Sequence, residues 1–353
     1  MYKKHLVDIN TPTKEVLNKL NSLGFDNIVF LTNKKRELVG SVTDGDIRRG
    51  LLDGLKINDS VKEFIEENPK YIKKSKYSIN SVMSLRESGY GLVPVLNDKN
   101  QIIDIINFRI QTNYLPVDAV LMAGGLGSRL KPLTDKTPKS LLKISGKTVI
   151  EYNVDRLAKF GINNYYFCLN HMSEKIEKHL NIVYANNQER VLSLNYILEE
   201  FPMGTIGGVS KITDFNNKYV LITNSDIINT INYEQFFLDF EKKNADISII
   251  TIPYLVDIPY GVTTVETSEN DIISLEEKPK YTHYCNGGIY LVKKSILKQI
   301  PNNKFYNATD LLTKLINNKS KVISYPINDY WMDIGSKEDY KKAKKDIKNL
   351  DLL

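Results

Sequence analysis

Cysteine is nearly absent: two residues in 353, Cys168 and Cys285, with no C-x-x-C spacing. Neither a disulfide framework nor a zinc site is expected. There are four histidines, of which His171 and His179 stand eight apart without a cysteine or carboxylate in a zinc-ligand pattern. No apolar run approaches the length of a membrane span. The opening MYKKHLVDINTPTKEV lacks the apolar core of a signal peptide. A cytoplasmic protein with no membrane partner is therefore expected. The net charge is only +6 and is spread along the chain. The one lysine-rich stretch, KKAKKDIKNLDLL at the C-terminus, reads as a solvated helix, so no nucleic-acid partner is expected. A mild positive balance suits small phosphorylated substrates.

What the chain does have is concentrated between Val117 and Lys147, VDAVLMAGGLGSRLKPLTDKTPKSLLKISGK. An apolar run through Met122 reads as a buried strand. It empties into Ala123, Gly124, Gly125, Leu126, Gly127, Ser128 and Arg129. Three glycines in four residues let the backbone turn tightly and bring N–H groups against an anion. Arg129 adds a fixed cation with several donors. Pro132 and Pro138 stiffen the continuation, and Lys139 adds a second charge. Two better-known glycine loops are excluded. The dinucleotide fingerprint needs glycine where Leu130 stands, and a P-loop ending at Gly146-Lys147-Thr148 needs one where Leu141 stands.

The segment GGLGSRLKPLT followed by PK resembles the opening signature of the sugar-1-phosphate nucleotidyltransferases, or nucleotide-sugar pyrophosphorylases. The resemblance continues in order: EEFPMGTIGGV from Glu199, ITNSDII from Ile222, YGV from Tyr260, EEKP from Glu276, NGGIYLV from Asn286, NATDLL from Asn307 and WMDIGSKEDY from Trp331. Each motif is weak alone, and their shared order is what makes the match. Strand patterns (LMA, NYYFCLN, YVLITNSDI, ADISIITIPY, GGIYLV) alternate with helical segments, an α/β pattern with a mostly parallel sheet. After Trp331 only a short helix is expected, with no room for the hexapeptide β-helix of some relatives.

The first part carries an internal repeat. NIVFLTNKKRELVGSVTDGDI from Asn27 overlays GLVPVLNDKNQIIDIINFRI from Gly91 with a constant offset of 64. Each half reads helix, strand, turn, strand, helix, with helices over 13–23 and 78–88 and turns at Asn33 and Asn97. The repeat resembles a tandem pair of CBS domains. The resemblance implies a nucleotide site at Thr43 and Asp46, for an adenine or guanine nucleotide, and a homo-oligomer, a dimer by expectation. In the second copy Asn107 replaces the threonine and no aspartate follows three places on. Thr43 and Asp46 equally suit the cap of the next helix. The expected organisation is a small α+β tandem CBS pair over 1–113, then a Rossmann-like, mostly parallel nucleotidyltransferase domain over 114–353.

The family reaction is attack of a sugar 1-phosphate on the α-phosphorus of a nucleoside triphosphate. The nucleophile is already an anion, so positioning and charge stabilisation dominate. The resemblance implies a nucleotide site from Met122, Ala123, Gly124, Gly125, Gly127, Ser128 and Arg129, with Gly204, Thr205 and Gly208 about the base and ribose and Glu199 or Glu200 nearby. It implies Tyr260, Gly261, Glu277, Lys278, Asn286 and Gly287 facing the sugar phosphate. Arg129, Lys139, Asp226 and Lys278 are the implied catalytic residues. Asp226 and Asp333 are implied to hold Mg²⁺, a hard ion suited to carboxylates. The domain order resembles guanylyltransferases that make GDP-glucosamine for bacterial legionaminic acid, so GTP and glucosamine 1-phosphate are expected. Mannose 1-phosphate or a heptose phosphate with GTP comes next, then glucose 1-phosphate with UTP or dTTP. The rival of another class is a nucleotide-sensing regulatory protein without catalysis.

Overall fold

The computed structural model describes residues 2–184, 192–266 and 270–350 and divides into two compact units. The first comprises Met1–Leu115, Ala158–Ile162 and Tyr184–Val191; the second comprises Pro116–Leu157, Asn163–Val183 and Leu192–Leu353.

The first unit is built from two three-stranded sheets. One joins β1 (Leu6–Asp8), β2 (Ile28–Thr32) and β3 (Leu38–Thr43); the other joins β4 (Ile72–Lys73), β5 (Leu92–Leu96) and β6 (Ile102–Asn107). The repeat holds residue by residue. Val29 pairs with Val42 as Val93 pairs with Ile106, and the ladder irregularity at Leu31/Thr32 recurs at Val95/Leu96. The two expected turns share one device. The Asn33 side-chain oxygen accepts from the Lys35 and Glu37 N–H groups, and Asn97 does the same for Lys99 and Gln101. Helices form as α1 (Thr13–Ser22), α2 (Asp44–Leu52) and α3 (Ile79–Glu87), the last capped by Ser78.

The halves then part. After β3, Thr43 and Asp46 form a reciprocal capping box that starts α2. After β6 the expected closing helix is replaced by a turn. Asn107 accepts there from Arg109 N–H at 3.0 Å and donates to Asp26 at 3.1 Å, a local arrangement that competes with helix initiation.

Gly161 is the tightest backbone position of this unit. Its φ is +76°, and a Cβ would lie 2.3 Å from the Asn113 carbonyl oxygen and 2.6 Å from the Tyr114 Cα. Gly161→Ala is expected to destabilise the chain by about 2–3 kcal/mol, because both backbone strain and overlap with main-chain atoms must be relieved. Denaturant unfolding of the full chain measures this, and an unchanged midpoint would contradict it.

The second unit runs β7 (Val117–Met122), β8 (Lys143–Ile144), β9 (Lys147–Thr148), α4 (Val149–Lys159), β10 (Asn164–Leu169), α5 (Ser173–Tyr184), β11 (Ser193–Leu198), β12 (Tyr219–Asn224) and β13 (Ile227–Asn229). It continues α6 (Tyr233–Lys242), β14 (Ile247–Asp257), β15 (Val262–Val265), β16 (Ile272–Glu276), β17 (Lys280–Lys293), α7 (Lys294–Leu297), α8 (Ala308–Asn317), β18 (Val322–Pro326), β19 (Trp331–Asp333) and α9 (Lys337–Asp346). The seven-stranded sheet has the order β11-β10-β7-β12-β17-β14-β18, and only β17 runs antiparallel to its neighbours. Its central strands read as near-continuous apolar runs because helices cover both faces. One side packs Val120, Ile222 and Val292 with Leu311 and Leu315 of α8. The lysine-rich C-terminal helix is solvated on one side only. Tyr340 and Ala343 of α9, with Ile347 beyond it, pack against Leu130, Leu142 and Tyr152; residues 351–353 of that stretch lie outside the described residues. Among the described residues no helix is long and apolar enough to cross a membrane.

Candidate active site

The site lies beyond the carboxyl ends of β7 and β12, where parallel sheets place ligands. After β7 the N–H groups of Gly124, Gly125 and Leu126 have no hydrogen-bond partner among the described residues. Gly125 has nothing within 4 Å of a would-be Cβ. Gly127 turns the chain at φ +61° into a 3-10 turn over Ser128–Leu130, whose Leu130 is fully buried and anchors the loop. The Gly127 carbonyl accepts from Thr134 Oγ1 at 2.8 Å. A Cβ on Gly127 would lie 3.2 Å from that of Lys139, so glycine there lets Lys139 pack against the loop.

Asp226 and Asp333 meet through β13 and β19. Ile227 is paired with Asp333, and Ile334 N–H donates to the Asp226 carbonyl at 3.0 Å. The Lys139 ammonium joins both carboxylates, hydrogen-bonded to Asp226 and 3.4 Å from Asp333. Burial, and then the Asp226 charge, holds the Asp333 carboxyl above the usual aspartate range; Lys139 and Arg129 partly offset this. Arg129 is exposed and its guanidinium flanks Asp333: a Cβ on Gly335 would be 3.7 Å from Arg129 Nη2 and 3.6 Å from Asp333 Oδ2. Asp226 Oδ1 is buried without a hydrogen-bond partner. Among the described residues no three His, Cys, Asp or Glu side chains converge. Two hard carboxylates with a free buried lone pair fit Mg²⁺, which fills its remaining positions with substrate phosphates and water.

Beside this pair lies a cavity of about 310 Å³ between the glycine loop and the 202–205 turn. Met122, Ala123, Gly124, Gly125 and Lys139 line it, and Glu199 closes it. Glu199 is fixed from several sides. Its N–H donates to Leu169 at 2.7 Å, its carbonyl accepts from Asn170 at 2.8 Å, and its Oε2 accepts weakly from Met203 N–H at 3.4 Å. Its Oε1 is buried without a partner, and burial raises the carboxyl above the usual glutamate range. A Cβ on Gly208 would sit 2.2 Å from Oε1. Gly208 therefore supports Glu199 from behind; it does not line the cavity as expected. Glu200, the other glutamate considered, is exposed and pairs with Lys211 at 3.6 Å. Gly204, at φ +79°, presses within 2.6 Å (would-be Cβ) of the Tyr306 carbonyl oxygen, and Thr205 Oγ1 accepts from Ala308 N–H at 2.8 Å. These contacts tie the turn to the start of α8.

A second cavity of about 280 Å³ adjoins the first. Asn286, Gly287, Tyr290, Trp331 and Asp333 line it, and Thr205 and Asn224 line both cavities. Trp331 donates to the Gly287 carbonyl at 2.9 Å, and Asn286 donates to Tyr290 Oη at 2.9 Å. Asn224 and Asn170 were not anticipated. Asn224 was reachable from its sequence, since it ends β12 two residues before Asp226.

Not every expected residue gathers here. Tyr260, Gly261, Glu277 and Lys278 line neither cavity. They are exposed at a joint of the β14–β17 ladder, with Lys278 and Glu277 3.8 Å apart. Ser128 and Arg129 stand at the rim, exposed. In the first unit, Asp46 accepts from Thr43 and Arg49, so both residues assigned to a nucleotide already serve the helix cap.

The nucleotidyl transferase family profile matches residues 118–349, and a CBS domain matches residues 4–53. A Sulfolobus acidocaldarius protein provisionally named mannose-1-phosphate guanyltransferase is 30% identical over 244 residues, which is 67% of this chain and 63% of the relative. The chain thus spans less than two thirds of that relative's length. The D-glycero-alpha-D-manno-heptose 1-phosphate guanylyltransferase of Aneurinibacillus thermoaerophilus is 29% identical over 236 residues, 66% of this chain and 99% of its own. A Bacillus anthracis crystal structure, provisionally named a glucose-1-phosphate thymidylyltransferase, superposes with a TM-score of 0.53 at 22% identity. It covers 67% of this chain and 96% of its own, a likeness of fold.

Proposed function

Because the chain belongs to the nucleotidyl transferase family and carries a CBS domain, we propose that it transfers a guanylyl group from GTP to a sugar 1-phosphate, releasing pyrophosphate. The observation that carries the choice of base is the pair of named guanylyltransferase relatives, together with Glu199, a buried carboxylate that lines the first cavity and whose Oε2 lies beside Gly124 of the glycine loop. Guanine alone among the bases presents two adjacent donors, N1–H and the exocyclic amine, to such a group. Adenine has an acceptor at N1, and uracil and thymine have a single N3–H between two carbonyls.

The chain's own groups divide the work. The free amides of Gly124, Gly125 and Leu126 receive phosphate oxygens. Arg129 at the rim holds the departing β,γ portion, with a planar fork that lysine cannot reproduce. Lys139 faces the reacting phosphates. A sugar-phosphate oxygen bonds to the α-phosphorus while the bond to the β-phosphate oxygen breaks, and no general base is required. Mg²⁺, when bound by Asp226 and Asp333, supplies neutralisation of phosphate charge. The acceptor lies in the second cavity, with Asn286 and Asn224 as its neutral hydrogen-bonding groups. The domain order favours glucosamine 1-phosphate and a place in legionaminic acid synthesis, whereas the named relatives favour mannose or heptose 1-phosphate. A nucleotide substrate implies the cytosol. The N-terminal unit is proposed to bind a purine nucleotide near Thr43 and Asp46, displacing Arg49 from Asp46.

A panel of four NTPs against glucosamine, mannose, heptose and glucose 1-phosphates, read by pyrophosphate, tests base and sugar together. GTP should be the preferred donor, and a preference for UTP or dTTP would overturn the guanine assignment. The raised Glu199 carboxyl adds a pH signature. Only its ionised form accepts both guanine donors, so acidification should weaken GTP binding before an ordinary glutamate would titrate. Calorimetric affinity against pH, with ATP as the control for phosphate protonation, should show this in the wild type. The extra pH dependence should vanish in Glu199→Gln.

A further inference from the structure

Asn153 stands inside α4, where asparagine is a poor helix former, and it is only 3% exposed. A buried amide requires partners for its N–H groups. Asn153 Nδ2 donates toward three carbonyl oxygens: Val149 of its own helix at 3.0 Å, Ser225 at 3.3 Å and Ile227 at 2.7 Å. The last two belong to a distant part of the chain, and they bracket Asp226.

The alternation of an extended backbone explains the arrangement. Successive carbonyls along such a chain point to opposite sides. That of Asp226 points to β19 and accepts from Ile334 N–H at 3.0 Å. Those of Ser225 and Ile227 point away from β19, and α4 meets them there with the Asn153 amide. The peptide frame of Asp226 is therefore held from the Asp333 side and from α4 at once. One turn farther along α4, Arg156 donates to the Thr230 and Ile231 carbonyls, just beyond β13.

The helix itself is well anchored. Thr148 Oγ1 donates to Glu151 Oε1 at 2.8 Å across its first turn, and Tyr152 Oη donates to the Ile144 carbonyl at 2.9 Å. Tyr152 also packs in one core with Leu130, Ile228 and Ile334. Leu130 follows Arg129, and Ile334 follows Asp333, so α4 is a common base for the segments that carry the site. The Asp226 side chain, by contrast, is lightly held. Lys139 bonds one oxygen, and the other is buried without a hydrogen-bond partner. The aim of this carboxylate thus depends on its backbone.

We infer that Asn153 is a positioning residue for the metal pair: by fixing the backbone about Asp226 it aims that carboxylate alongside Asp333. The inference rests on the assignment of Mg²⁺ to these two aspartates. It gives the amide a task that an apolar side chain of similar shape cannot perform.

The experiment is a Mn²⁺ titration of the full chain without substrates, read by the electron paramagnetic resonance of the free ion. It compares wild type, Asn153→Leu and Asn164→Leu. Leucine keeps the branched shape and has no donor. Asn164 is the matched control, a second buried asparagine of the same unit. It opens β10 at the end of the sheet away from the site and donates to Asp118 at 3.1 Å. Asn153→Leu should raise the Mn²⁺ dissociation constant about ten- to hundred-fold, and Asn164→Leu by less than about two-fold. In turnover, Asn153→Leu should need more Mg²⁺ yet recover most of kcat at saturation. A loss of folded protein would instead lower kcat at every Mg²⁺ concentration.

A wild type that binds Mn²⁺, with an unshifted constant in Asn153→Leu, overturns the inference and leaves the metal assignment standing. Equal shifts in the two variants overturn it as well, since the amide then serves general packing. A wild type that binds no Mn²⁺ overturns the metal assignment and the inference together. If Asn153→Leu does not fold, Asn153→Ser takes its place. Its hydroxyl serves one carbonyl only, so a smaller shift in the same direction is expected, and no shift overturns the inference.

Discussion

Asp226→Asn and Asp333→Asn will each lower kcat/KM by about a thousand-fold, ~4 kcal/mol of transition-state stabilisation, in a chain that stays folded. Neither carboxylate supports the core. Asp226 leaves one oxygen buried without a partner, and both face Lys139. The amide keeps the volume and removes the charge that a metal needs. Its NH₂ also meets an ammonium that had been neutralised, so a secondary loss of local order about Lys139 should accompany the loss of turnover. Steady-state rates over a Mg²⁺ titration, with circular dichroism as the folding control, measure both effects. Near-wild-type rates in either variant would remove that residue from the metal site.

Glu199→Gln should cut the preference for GTP over ATP by about a hundred-fold or more. A site built to pair specific donors rejects analogues lacking them far more strongly than an apolar pocket does. Glutamine keeps the shape but can accept only one of the two guanine bonds and turns an NH₂ toward the other. Gly208→Ala should mimic it while leaving Glu199 itself unchanged in sequence, because a methyl at 2.2 Å from Oε1 must push the side chain out of place. Competitive binding of GTP and ATP by calorimetry checks both variants. Unchanged selectivity in Glu199→Gln would place base recognition elsewhere.

The strands and the glycine loop were legible because their signals are local. An apolar run with no polar face marks a strand covered on both sides, as at Val117–Met122. The repeat in the first unit was legible to the level of register. What was not legible depends on contacts between distant segments. Nothing near Glu199 separates it from Glu200; in the fold the Glu199 carboxylate packs against Gly208, where a Cβ would lie 2.2 Å from Oε1, while Glu200 is exposed and pairs with Lys211. The charge-rich C-terminal stretch hid the stripe of Tyr340, Ala343 and Ile347 that docks it. The missing second helix turned on one residue, since Asn107 offers its backbone a local turn where Thr43 offers a cap. Asp333 reached its place in the expectation only through the family resemblance. In the fold it is brought there by two short strands, β13 and β19, too brief to show any period.

The central claim is that the carboxylate pair, the glycine loop and the Glu199 cavity act together as a guanylyl-transfer site. Incubation of the full chain with GTP, Mg²⁺ and sugar 1-phosphates, followed by ³¹P NMR, tests it most directly. Loss of the γ- and β-phosphate signals, with growth of inorganic pyrophosphate and of a GDP-sugar diphosphate pair, is the predicted result, abolished by EDTA. GTP that binds but remains intact with every sugar 1-phosphate would contradict it and leave the chain a nucleotide-binding protein without transfer.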